Sequence, residues 1–103
     1  MVSLEGLFDD WIETLRTGVD TNIANPGPFR RDYLNDGQAG RLLGDYCNWS
    51  RIDEYHPFML DSPAPAIAAQ LMQSDESRIF HEHELAKEPG TNKIIPWHHE
   101  QPY

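Results

Sequence analysis

The run Asn25-Pro26-Gly27-Pro28 constrains this chain more than any other feature, because proline lacks the helical amide donor and biases its predecessor away from helical angles. A helix must end there. Ahead of it, Leu7, Phe8, Trp11, Ile12, Leu15, Val19 and Ile23 keep the three-and-four spacing of one helical face, with Ser3 as a candidate N-cap. After it, a loop of turn formers runs through Asn35-Asp36-Gly37, and Arg41 to Trp49 suits either a short strand or an irregular segment packed on the core. Ile52 to Leu60 suits a short helix. Ser62-Pro63 then reads as an N-cap followed by a first-turn proline, opening a second helix through Ala66, Ile67, Ala69, Gln70, Leu71 and Met72 to about Gln73.

Beyond the polar break Ser74-Asp75-Glu76-Ser77, Arg78 to Lys87 reads as an extended strand with polar groups on both faces. Glu88-Pro89-Gly90-Thr91 turns the chain, and Ile94-Ile95-Pro96-Trp97 leads into a last strand holding His98 and Glu100. The 103 residues suffice for one small domain, and 39% hydrophobic residues with 11% aromatic ones argue against wholesale disorder. A formal charge of −9 is opposite to what a phosphate backbone attracts, so nucleic acid is not an expected partner. Cys47 is the only cysteine and reads as a half-buried structural thiol. No apolar run approaches the roughly 18 residues of a membrane span, and Met1 to Asp10 lacks the basic start and apolar stretch of a signal peptide. A cytoplasmic setting without membrane association is the expectation.

Residues two apart on a strand point to the same side, so His98 and Glu100 can present an imidazole and a carboxylate together while His99 faces away. Two histidines and one carboxylate on one side of a metal leave the opposite positions open for co-substrate and dioxygen. The same alternation puts His81, His83, Leu85 and Lys87 on one face. On its own, a His-x-Glu pair is a common chance occurrence. A metal site of another kind, built from His81, His83, His98 and His99, is a second possibility. Arg30-Arg31 could steer an anionic substrate, although adjacent loop arginines are more often plain surface charge.

The longer string Phe80-His81-Glu82-His83-Glu84-Leu85-Ala86-Lys87-Glu88-Pro89-Gly90-Thr91, then Ile95-Pro96-Trp97-His98-His99-Glu100-Gln101-Pro102-Tyr103, resembles the phytanoyl-CoA dioxygenase family. In that family a strand ending in Lys-x-Pro-Gly leads to Pro-Trp-His-x-Asp. Trp11, Asn25-Pro26, Asp45-Tyr46-Cys47-Asn48-Trp49 and the alanine-rich stretch near Ala66 are similar to the N-terminal portion of bacterial members. The resemblance implies an α+β chain: N-terminal helices, then the first strands of a double-stranded β-helix of the jelly-roll or cupin type, incomplete within these residues. One domain spans 1–103, with 1–76 mainly helical and 77–103 carrying the first core strands and the iron motif.

The resemblance further implies an Fe(II)- and 2-oxoglutarate-dependent dioxygenase hydroxylating a small-molecule or acyl-type substrate. It makes His98 the first iron histidine and Glu100 the iron carboxylate, where most members have Asp. It puts Lys87, His83 and His81 in the 2-oxoglutarate pocket. It sets the second iron histidine and the arginine that grips 2-oxoglutarate downstream of Tyr103, so the isolated chain is expected to lack turnover. The alternative is a non-catalytic binding or interaction module derived from the front of that fold, self-associating through exposed strand edges.

Overall fold

The computed structural model describes residues 3–33 and 40–96. The Asn35-Asp36-Gly37 loop, and the last strand with His98 and Glu100, lie outside the described residues. Within them the architecture is α+β, with three α-helices and one three-stranded antiparallel sheet. The chain turns once as a 3-10 helix at Asp9–Trp11 and then forms α1, Ile12–Ala24. Regular helix thus starts well after Ser3, which caps nothing. Phe8 and Trp11 pack instead on Phe58, with ring centroids 5.9 and 5.7 Å apart. At the other end Asn25 donates its amide to Thr21 O (2.8 Å), and the Pro26-Gly27-Pro28 run carries the chain away.

The face that α1 buries differs from the apolar stripe. Leu15, Val19 and Ile23 are half-buried and Ile12 is exposed, whereas the buried positions are Gly18 and Asn22. Gly18 lets the Tyr55 ring lie against the helix backbone: a β-carbon there would stand 2.7 Å from Tyr55 Cε1 and 2.9 Å from Cδ1. Asn22 reaches across to the sheet.

Strand β1 is Arg31–Tyr33, β2 is Leu42–Tyr46 and β3 is His83–Lys87, in the order β1-β2-β3. Arg31 faces Gly44 and Tyr33 faces Leu42 across the first pair, while Leu42 faces Lys87, Gly44 faces Leu85 and Tyr46 faces His83 across the second. Two of the three strands therefore precede residue 77, in the part expected to be mainly helical, and Arg41 to Trp49 contains the central strand. The stretch from Arg78 to Lys87 is strand only from His83 onward. Its partner strand ends at Tyr46: the Cys47 amide makes one more cross-strand bond, to Glu82 O (3.2 Å), and its left-handed φ of 63° then turns the chain away. Cys47 is exposed.

After that turn come α2, Tyr55–Asp61, and α3, Ala64–Leu71. Ser62 Oγ accepts the Ala64 amide (3.2 Å) with Pro63 between, which is the N-terminal arrangement that Ser62-Pro63 suggests. Ser74 donates to Ala69 O (2.9 Å) past Gln73 at φ 54°, closing the helix with a left-handed residue. None of the described helices is long and apolar enough to cross a membrane.

Among the described residues the buried apolar side chains are Leu42, Leu43, Ile52 and Tyr55, beside buried Asn22, Asp45, Asn48 and Ser62. Polar ties supplement them. Arg41 grips Glu88 across the β2–β3 end, with Nη2 to Oε1 at 2.7 Å, Nε to both oxygens at 3.1 and 3.2 Å, and the Arg41 amide to Oε2 at 3.0 Å.

Gly18→Ala should destabilise the fold by up to about 2 kcal/mol in urea denaturation, since overpacking against Tyr55 outweighs the gain of about 1 kcal/mol in helix propensity. A stabilised variant would contradict the packing described. The Arg41 hydrogen bonds hold the Glu88 carboxyl below the usual carboxylate range, so the stabilisation is present above the unfolded value and is lost as pH falls through the folded one. Glu88→Gln should therefore flatten the acid limb of a Tm-against-pH profile.

Candidate functional site

Alternation along the strands sorts charge onto the two sides of the sheet. Asp32, Leu43, Asp45, Glu84 and Ala86 occupy the inner side, toward α1 and α2. Arg31, Tyr33, Leu42, Gly44, Tyr46, His83, Leu85 and Lys87 occupy the outer side, by the register of the two pairs. All three carboxylates of the strands are on the inner side, and both strand cations are on the outer one.

The inner side is a hydrogen-bonded polar layer. Glu84 Oε2 accepts from Asn22 Nδ2 and from the Tyr55 hydroxyl (3.4 Å). Arg51 bridges Asn22 Oδ1 and Asn48 Oδ1, both at 3.0 Å, and Asp45 Oδ2 accepts the Gly27 amide at 2.8 Å. Glu82 receives the amides of Asn48 (2.6 Å) and Trp49 (3.0 Å), fixing the turn after β2. Burial, and then the Glu84 carboxylate, push the Tyr55 phenol well above its ordinary value of about 10. These bonds tie α1, α2 and the turn after β2 to the sheet, although Glu84 Oε1 is buried with no hydrogen-bond partner among the described residues.

The outer side is the candidate site, because its polar groups are exposed and lack acidic partners. Arg16, Arg30, Arg41 and Arg78 each pair with a carboxylate, and Arg51 is held by two asparagines. Arg31 and Lys87 have no acidic partner among the described residues. In a chain with 17 acids and 8 basic residues, two cations left together on one face form a surface suited to anions.

Aromatic rings stand at the Arg31 end of this face. Phe29 stacks on Tyr46 with centroids 4.9 Å apart and planes 14° from parallel. His83 meets Tyr46 edge-on at 5.5 Å, and His81 lies 6.0 Å from the same ring. A pocket of about 160 Å³ opens here, lined by Phe29, Arg31, Tyr33, Gly44, Tyr46 and His83.

Of the residues singled out in the sequence, His83 opens β3 and Lys87 closes it on the same outer side, while His81 precedes the strand and shares the Tyr46 ring with His83. His98 and Glu100 lie outside the described residues. No group of three His, Cys, Asp or Glu among the described residues is placed to hold a metal ion, so His81 and His83 have no third ligand there. Phe29, Tyr33, Tyr46 and Gly44 carry no local motif. The signal that finds them is pairing register, which becomes visible only once β1 and β2 are recognised as strands.

No family model, no curated protein and no solved structure matches this chain. In alkaline titration, the tyrosinate absorbance step above the ordinary phenol range should be absent from Tyr55→Phe. The phenol's contribution to stability is present below about pH 10 and lost as pH rises through its raised value.

Proposed function

We propose that this chain is the front part of an Fe(II)- and 2-oxoglutarate-dependent dioxygenase of the phytanoyl-CoA dioxygenase type. The observation that carries the reading is that β3 holds His83 and Lys87 on one exposed side of the sheet, with no carboxylate of the strands beside them. The resemblance assigns that side to 2-oxoglutarate. A dianion needs cationic and N–H donors that are not already neutralised, and Lys87 with His83 meets that need. His81, next to the Tyr46 ring, belongs to the same wall.

In this reading His98 and Glu100 hold the iron, with Glu100 reaching one methylene further than the usual aspartate. Bound iron would supply hydroxylation of a small-molecule or acyl-type substrate by dioxygen, one oxygen atom entering the substrate and the other the succinate formed from 2-oxoglutarate as carbon dioxide leaves. This chain's contribution is to orient the co-substrate through Lys87 and His83. Only two of three iron ligands are assigned within the 103 residues. The isolated chain therefore binds Fe(II) weakly and does not turn over 2-oxoglutarate. Exposed Leu85, Ile94 and Ile95, at 47, 83 and 41% accessibility, are consistent with a sheet that further strands cover.

Anaerobic calorimetry on the 103-residue chain tests the reading. Lys87→Ala should weaken 2-oxoglutarate about tenfold or more and leave Fe(II) affinity alone. His98→Ala and Glu100→Ala should weaken Fe(II), with His99→Ala mild. Equal losses from His98→Ala and His99→Ala would instead indicate the alternative histidine site. Absence of both ligands, with self-association through the edges of β1 and β3, would support a non-catalytic module.

A further inference from the structure

By register the outer face has the rows Arg31, Gly44 and Leu85, then Tyr33, Leu42 and Lys87, with Tyr46 opposite His83 and Phe29 stacked on Tyr46 from the turn before β1. The central position carries no side chain, and that gap is the floor of the pocket. Neither backbone conformation nor crowding demands glycine there. Gly44 is absent from the positive-φ residues, and a β-carbon on it would make only ordinary contacts, 3.5 Å to His83 Nε2, 3.7 Å to Leu85 Cδ2 and 3.8 Å to Tyr33 Cε2. The glycine therefore leaves space on a face that could have been filled.

Arg31 stands at the edge of that space. Its neighbour Arg30 is paired with Asp32 at 2.5 Å, whereas Arg31 reaches no carboxylate among the described residues. A guanidinium offers a planar fork of donors matched to a carboxylate, and it stacks on flat groups as well. Phe29, Tyr46 and His83 supply flat apolar surface on one side, and Tyr33, Tyr46 and His83 carry hydrogen-bonding groups around the rim. The pocket's volume of about 160 Å³ is below the roughly 300–1,000 Å³ of pockets that enclose drug-sized ligands. It suits one acid group with its adjoining carbons, and is too small for a nucleotide.

We propose that the Gly44 pocket is a binding site for the carboxylate of a small organic acid, gripped by Arg31 and flanked by the Phe29–Tyr46 stack. The site shares His83 and Tyr46 with the wall assigned to 2-oxoglutarate, but its cation is Arg31 and not Lys87. In the oxygenase reading it holds the acid group of the substrate, but it consists of described residues alone and does not require iron.

Phenylacetate is the probe, followed by amide-resolved NMR titration of the 103-residue chain, with inorganic phosphate and 2-oxoglutarate as parallel arms. Phenylacetate should shift amides of β1 and β2. Arg31→Gln should weaken it at least about tenfold, the loss expected for one charge-assisted bidentate contact. Gly44→Val, a residue that strands favour, should abolish binding by filling the pocket, with circular dichroism verifying the fold. Lys87→Ala should leave phenylacetate binding unchanged while weakening 2-oxoglutarate, so the two readings fail separately. The proposal is overturned if the unmodified chain does not bind phenylacetate at millimolar concentration, if Arg31→Gln binds it equally well, or if phosphate binds as tightly.

Discussion

The position of α1 on the sheet depends on a carboxylate, Glu84, that receives Asn22 from the helix and Tyr55 from α2 on a single oxygen. Arg51 extends the link from Asn22 to Asn48, and Glu82 holds the turn from Asn48 to Trp49. Hydrogen bonds to charged groups contribute roughly 1.5–3 kcal/mol each, but leaving one buried partner unmet costs at least as much. Apolar contact is non-directional, whereas these bonds fix rotation and height. With four buried apolar side chains among the described residues, directional polar contacts take over the placing of helix against strand.

That arrangement has a consequence for the opposite side. Of the strand carboxylates, Glu84 accepts from Asn22 and Tyr55, Asp45 accepts from Gly27, and Asp32 pairs with Arg30. They are thereby withdrawn from the outer side. An acidic chain thus presents one cationic and aromatic surface without an excess of basic residues anywhere in its composition. Net charge alone says the reverse of what this face offers.

Much of the fold is legible in the residues. The Asn25-Pro26 stop, the Ser62-Pro63 helix start and the alternation along His83–Lys87 each rest on a local backbone rule, and the α+β class that the resemblance implies is the one observed. What local rules miss is decided at a distance. The buried face of α1 centres on Gly18 and Asn22 because Tyr55 and Glu84 lie opposite, and neither partner is near α1 in sequence. β3 is shorter than its extended composition suggests because strand length belongs to the pair, and Cys47 ends the pairing. The candidate site is legible along β3 through His83 and Lys87. Its β1 and β2 components, Arg31, Tyr33 and Gly44, need the register.

The two-sided sorting of charge also guards the alignment of the strands. Because side chains alternate with a period of two, a slip of β3 by one residue would exchange its faces entirely. Lys87, Leu85 and His83 would turn toward α1 and α2, and Glu84 would turn out beside Arg31 and leave Asn22 and Tyr55 unanswered. Apolar alternation, the usual guide to alignment, is weak in a strand reading His-Glu-Leu-Ala-Lys, where the lone leucine points outward. Charge and amide pairing serve as the proofreader in its place, so the contacts that give the outer face its character also exclude the misaligned sheet.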